Sequence, residues 1–314
     1  MAITAPADVR TTVDLALRGK RRDVAGLVFR LALIGTLLLA LLILLVLLAT
    51  TLMEAWPVLS ERGWEFVTSD TSSLPSRAGV WQGLIGSLIL TGFVACIAIP
   101  IGIAAAIYLQ EYARDTRVNR ILITNIRNLA GVPSVVYGIL GLVVFVQALR
   151  AFTGPDSFGK SYISGGLTLA VLVMPIMILI TMEALRAVPA SIREGAYGVG
   201  ATRWEMVRSH VVPYAAPGIF TGAILAMARA FGETAPLLLV GAVTGYLSTP
   251  SGRPPLEVLQ GQYTALPTQI FAWTKLPAND WQANTAAAII VLLVAILVVN
   301  FAAILLRNRY ERKW

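Results

Sequence analysis

Histidine and cysteine are nearly missing from this chain, which has only His210 and Cys96 in 314 residues. A single cysteine excludes a disulfide within the chain, and Cys96 falls inside an apolar run where packing is its expected role. A single histidine excludes a two-histidine metal site built from this chain alone. A Ser-His-Asp triad would need His210, which lies at the edge of an apolar run, and Ser209 beside it points elsewhere on any regular backbone. An intramembrane protease is the nearest enzyme alternative. Charge is also scarce: 13% of residues are charged, against about 25% in a soluble domain. Repeats with a period of about 20–50 residues, the mark of solenoids and propellers, are absent as well.

What fills the chain instead is apolar, 57% of all residues with a mean hydropathy of +0.74. One aqueous core cannot hide that much. A helix needs roughly 20 apolar residues to cross a bilayer, and six runs qualify: Leu31 to Met53, Leu84 to Leu109, Leu129 to Leu149, Ile163 to Met182, Pro213 to Gly245 and Ala283 to Leu306. Outer-membrane strands would alternate apolar and polar residues, and LLLALLILLVLLATTLM does not. The expected fold is therefore an all-α polytopic membrane protein with six transmembrane helices.

Basic residues set the orientation, because Lys and Arg in short loops stay on the cytoplasmic side. With the N-terminus inside, eighteen of the 25 fall on one face and six on the other, leaving Arg229 within a span. Both termini are thus expected in the cytoplasm, and the net charge of +8 needs no nucleic acid. The first run is longer than a signal peptide's core and lacks a small-x-small site, so it reads as a retained anchor. Ahead of it, residues 1–30 form a polar cytoplasmic arm. Trp56, Trp64, Trp81, Trp273 and Trp281 fall in or near outer-side loops and are expected to anchor at the headgroup level.

Residues 154–161, GPDSFGKS, match G-x-x-x-x-G-K-S letter for letter. A phosphate loop, however, follows a buried strand and opens a helix. Here a membrane span precedes the segment, and the topology puts it outside, away from ATP. The longest outer connection, 246–282, contains LPTQIFAW, which either lies along the membrane surface or forms part of an ordered loop. Pro100, Pro133 and Pro175 fall within spans, where each removes a backbone donor and can bend the helix. Glu183 and Asn300 are candidates for polar contacts between helices.

Two features carry function. In the fifth run, AMARAFGETAPLLLV places Arg229 and Glu233 one turn apart on one helix face. An arginine at a helix centre costs roughly 2.5–3.5 kcal/mol on insertion scales. The pair is either a neutralised packing element or a cation lining an anion path, with Glu233 holding the guanidinium; the second reading explains why the charge is there. Residues 183–213, between the fourth and fifth runs, form the other feature. Within them, SIREGAYGVGATRWEMVRSHVVP reads as two short helices joined at Gly198–Gly200, a docking shape without catalytic groups.

At these residues the chain resembles the permease subunits of ABC importers, whose cytoplasmic loop carries Glu-Ala-Ala, three residues, Gly, nine residues, then Ile-x-Leu-Pro. The matching positions are Glu194, Gly195, Ala196, Gly200, His210, Val212 and Pro213; Gly195, His210 and Val212 depart from the consensus residue. The segments NLAGVPSVVYGILGL, RAFGETAPLLL and LPTQIFAW are similar to those of the phosphate-specific members of that family. The resemblance runs from about Trp81 to the C-terminus and implies a type I ABC importer permease architecture in a bacterial inner membrane. It implies that Arg193 to Gly200 form a coupling helix seated on a cytoplasmic ATPase. It further implies a second related permease, two ATP-binding subunits, an extracytoplasmic phosphate-binding protein and phosphate as cargo. No cofactor is expected on this chain, ATP and Mg being held by the ATPase subunits. A permease for sulfate or molybdate, or a secondary transporter or channel working without ATP, are the alternatives.

If residues 154–161 are not a nucleotide site, the purified chain alone gives no ATP signal in equilibrium dialysis, and Lys160→Ala changes nothing. ATP binding lost on that substitution would overturn the reading.

Overall fold

The structure, a computed structural model, describes residues 24–245, 254–277 and 279–310. Most of the predicted arm, residues 1–23, and residues 246–253 of the outer connection lie outside the described residues, as do residues 311–314. Every regular element among the described residues is a helix. The chain divides into two units, residues 1–50 and 51–314.

The first unit holds the opening stretch of α1 (Val24–Glu61). Its leucines are exposed all round, Leu31 at 58% and Leu44 at 61%. An all-round apolar helix is what lipid solvates.

The second unit contains the end of α1, then α2 (Gly63–Thr68), α3 (Trp81–Tyr112), α4 (Arg117–Ala130), α5 (Ser134–Ala148), α6 (Arg150–Thr153) and α7 (Tyr162–Arg186). It continues with α8 (Ala190–Gly198), α9 (Arg203–Gly232), α10 (Ala235–Leu239), α11 (Pro255–Gln260), α12 (Leu266–Trp273) and α13 (Asn279–Tyr310). At its centre stands α7, with Leu169, Val173, Met177 and Leu185 buried. Hydrocarbon gives no hydrophobic drive to helix association, so close backbone approach at small residues takes its place. A β-carbon on Gly102 of α3 would lie 2.8 Å from Met177, one on Gly222 of α9 would lie 2.8 Å from Ile180, and one on Gly141 of α5 would strike the Thr168 side chain.

Among the described residues five helices are long and apolar enough to cross a membrane, namely α1, α3, α7, α9 and α13. The third predicted crossing is a broken one. The run from Leu129 to Leu149 bends by 101° at Gly131–Pro133, where Pro133 takes ψ 139° and forces the residue before it out of the helical region. α4 and α5 are the two arms of this bend. The span read as Pro213–Gly245 also differs at both ends. Its helix begins ten residues earlier at Arg203 and stops at Gly232, because Glu233 is extended at ψ 132°. Pro213 does not break the start: the preceding turn, Val207–Val211, is a wide π turn. Pro100 is preceded likewise by the π turn Val94–Ala98. In both cases the carbonyl four residues before the proline, of Ser209 or Cys96, lies in the widened turn and is displaced from the ring. Pro133 and Pro213 thus have opposite effects.

In the outer connection, LPTQIFAW is the helix α12 and not an irregular loop. Leu266, Thr268, Gln269 and Trp273 are buried, with Gln269 donating to the Gly79 carbonyl at 2.8 Å. Trp273 and Trp281 stack at 5.3 Å between centroids and are 5% and 7% exposed. They are core residues rather than headgroup anchors, whereas Trp56 and Trp64 are exposed. Tyr263 is fully buried against Gly165 and donates to the Leu237 carbonyl at 3.2 Å. Burial, and then the neighbouring Tyr162 phenol, push its pKa up, so it remains a neutral donor. Cys96 is exposed and not packed in the core. Glu183 pairs with Arg186 on its own helix, exposed, instead of bridging helices.

Residues 154–161 have no strand before them; α6 precedes and α7 follows. Their polar groups are spent within the loop and on α11. Gly159 donates to Gly154 at 2.7 Å and Lys160 to Ser157 at 3.0 Å, while the Ser157 hydroxyl donates to the Gln260 carbonyl at 2.6 Å. Ser161 caps α7.

A β-carbon at Gly86 would collide with the Thr264 backbone carbonyl. Gly86→Ala is therefore expected to cost about 1–3 kcal/mol through overpacking. A lowered melting temperature of the purified protein, with Gly92→Ala on an open face as the unaffected control, checks this.

Candidate functional site: a cytoplasmic corner and a broken-helix pair

Each end of the corner is built by local rules. The helix α8 ends in a tight corner where Gly200 takes φ +82°, a left-handed conformation favourable to glycine. Its amide donates to the Tyr197 carbonyl at 2.9 Å, and that of Ala201 to Ala196 at 3.0 Å. Across the corner Thr202 caps α9. Its hydroxyl accepts from the Glu205 amide at 3.3 Å, and the Glu205 carboxylate accepts from the Thr202 amide at 2.8 Å. This reciprocal arrangement is a capping box.

The corner sorts the predicted coupling residues by direction. Glu194, Gly195 and Gly200 are exposed, with open space beyond Gly195 and Gly200. Tyr197, Val199 and Trp204 stand beside them at 49%, 84% and 59% exposure, giving an apolar patch around one carboxylate. Ala196 points the other way and is 5% exposed. His210 is exposed but roughly two turns along α9 from Arg203, while Val212 packs on the buried core. The turn Val207–Val211, which carries His210, packs against α8, and Val212 and Pro213 follow directly after it.

Arg193 also turns inward. Its Nη2 lies 2.8 Å from Glu111 Oε1 and 2.9 Å from the Leu185 carbonyl. Its Nη1 donates to the Val188 carbonyl at 2.7 Å, and its Nε to Glu111 Oε2 at 3.4 Å. Glu111 is only 5% exposed, at the end of α3. Its neighbour Tyr112 receives the Arg203 guanidinium over its ring at 5.1 Å. Sequence reasoning missed Glu111, although a lone acid just past an apolar run was the available signal.

Within the membrane region, Arg229 Nε meets Glu233 Oε1 at 3.2 Å, with side chains 37% and 15% exposed. Arg229 occupies the last turn of α9, not the helix centre expected from sequence. There it faces the negative end of the helix dipole, which offsets part of the cost of burying a cation. After Glu233 and Thr234 the chain restarts as α10, which packs on α5: a β-carbon on Gly138 would lie 2.7 Å from Pro236 Cα. Tyr137 of α5 donates to the Leu129 carbonyl at 2.9 Å and lies within electrostatic reach of Arg229. The two interrupted spans therefore meet around Arg229 and Glu233. Non-helical backbone at membrane depth persists only where protein buries it or a cavity is lined, and broken helices recur at transporter binding sites. Among the described residues no cluster of His, Cys, Asp and Glu suits a metal ion.

The family profile described as binding-protein-dependent transport system inner membrane component matches residues 98–314. A probable ABC transporter permease protein of Bacillus subtilis (strain 168), YqgI, is 32% identical over 255 residues, 78% of this chain and 83% of that protein. Phosphate transport system permease protein PstA 1 of Mycobacterium tuberculosis (strain ATCC 25618 / H37Rv) is 30% identical over 263 residues, 83% of this chain and 80% of that one. Among solved structures, a bacterial alginate ABC transporter in complex with an alginate pentasaccharide-bound periplasmic protein matches with a TM-score of 0.61. It is 17% identical and covers 90% of this chain and 96% of that one.

With the corner exposed to the cytoplasm, cysteines at Gly195 and Tyr197, in a Cys96→Ala background, react with an impermeant maleimide in inside-out vesicles. A cysteine at Ala196 stays unlabelled until denaturation. Equal labelling at all three positions would contradict the packing.

Proposed function

The chain belongs to the binding-protein-dependent transport system inner membrane components, and on that premise we propose that its cargo is inorganic phosphate. It is a multi-pass inner-membrane permease subunit of an ABC importer, a transport component and not an enzyme. The observation that carries the phosphate reading is the Arg229–Glu233 pair at the junction of two interrupted spans, in a chain related to a phosphate transport system permease over most of its length. A guanidinium with fixed fork geometry suits a tetrahedral oxyanion, and its partner carboxylate keeps the attraction weak enough for release.

In this reading a second related permease completes the pathway, an extracytoplasmic phosphate-binding protein delivers the anion, and two ATPase subunits hold ATP and Mg. Glu194, with Tyr197, Val199 and Trp204 around it, forms the surface that enters the ATPase cleft, while Gly195 and Gly200 leave room for its approach. His210, Val212 and Pro213 serve the α9 base. Closure of the ATPase dimer on ATP then moves the corner, and the bundle alternates between inward and outward openings.

Reconstituted with its partners in proteoliposomes, the Arg229→Ala importer is expected to take up radiolabelled phosphate about tenfold more slowly, a transition-state loss of ~1.4 kcal/mol. Arg229→Lys keeps the charge and recovers part of the rate. Undiminished uptake by Arg229→Ala removes Arg229 from the path, and uptake of sulfate in place of phosphate by the native complex overturns the cargo.

A further inference from the structure

Two consecutive residues at the end of α3 hold the two sides of the cytoplasmic corner. Glu111 takes Arg193 from α8, and Tyr112 takes Arg203 from the first turn of α9. Arg193 also binds the carbonyls of Leu185 and Val188, the last turn of α7 and the residue just beyond the helix. One guanidinium therefore joins three elements: the end of the second crossing, the end of the fourth, and the helix offered to the ATPase. Leu185 lies in the last turn of α7, where carbonyls lack the usual amide four residues on; its oxygen accepts from the Val188 amide at 3.3 Å and gains a charged donor in Arg193.

Fixing a short surface helix needs less than this. The face of α8 bearing Ala196 and Ile192 already packs on the core, and its C-terminal corner closes through its own amides. An ion pair with one partner 5% exposed is a costly addition, since desolvation of buried charges commonly cancels their attraction. What the pair supplies that apolar packing does not is a directional, two-pronged joint between α8 and α3.

We propose that Glu111 is the positioning residue of coupling, and that the Glu111–Arg193 joint, assisted by Tyr112–Arg203, converts displacement of α8 into displacement of α3 and α7. Without the joint, α8 still seats on the ATPase but slides against the bundle. ATP is then hydrolysed without moving cargo. The proposal rests on the ABC importer assignment for its energy source and on the phosphate reading only for the cargo assayed.

The test uses the assembled importer in proteoliposomes with its binding protein, comparing Glu111→Gln, Glu111→Asp and Arg193→Lys with the native complex. Two quantities are read together: radiolabelled phosphate taken up per ATP hydrolysed, and stimulation of hydrolysis by the loaded binding protein. Glu111→Gln keeps the shape and removes the charge, so uptake per ATP is expected to fall about 2- to 30-fold, the range for mutations along coupling networks. Co-purification of the ATPase is unchanged. Arg193→Lys, which cannot serve the carboxylate and both carbonyls at once, behaves alike, and Glu111→Asp restores part of the ratio. A purely structural role lowers uptake and hydrolysis together at constant ratio, and that result overturns the proposal. So does loss of the ATPase from both Glu111→Gln and Arg193→Lys complexes, which would make the joint an assembly element. If the native complex moves no phosphate, the cargo reading fails, while stimulation of hydrolysis still reports on the joint.

Discussion

A lipid bilayer offers no water to an unpaired amide or carbonyl, so any departure from helix must be sheltered by the protein. This chain departs from it at Gly131–Pro133 and at Glu233–Thr234; beyond the two breaks α10 closes on Gly138 of α5, and Arg229 at the end of α9 reaches Glu233. The cation sits where the helix dipole ends, the carboxylate sits where the chain turns, and both belong to the segment that had to be non-helical. The site and the irregularity have one physical origin. The same constraint explains the glycines facing α7, because helices without a hydrophobic drive between them gain by bringing backbones close.

The cytoplasmic corner is governed by different physics. It is open on one side, where Glu194, Val199 and Trp204 stand exposed, and it rests on the ends of α3 and α7. Arg193 pairs with Glu111 and donates to the Leu185 and Val188 carbonyls. Arg193 therefore turns inward while the adjacent Glu194 stands exposed, so two neighbouring residues of α8 face opposite surroundings.

Much of this was legible in the sequence. The first, second, fourth and sixth apolar runs became α1, α3, α7 and α13, and the corner followed from Gly198 and Gly200 between two helix-forming stretches. Breaks were harder to see: hydropathy adds up apolar residues without saying whether the backbone continues through them, so Leu129–Leu149 and Pro213–Gly245 each passed for a single helix. The opposite behaviour of Pro133 and Pro213 depends on whether a π turn precedes the ring, and composition does not record that. Trp273 and Trp281 misled because an indole suits both the headgroup layer and a packed core. Glu111 and Arg193 lie 82 residues apart, beyond any local pattern.

One consequence concerns chain length. Trp204, beside the cytoplasmic carboxylate, and Arg229, at the broken spans, belong to the same helix, α9, and each residue added between them would turn one end against the other by about 100° and lengthen the rod by about 1.5 Å. Loops absorb insertions; this segment does not, since even one extra residue would swing Arg229 away from α5 while Trp204 kept its place. The stretch from 205 to 228 is accordingly a fixed ruler, free to change its lipid-facing letters but not their number.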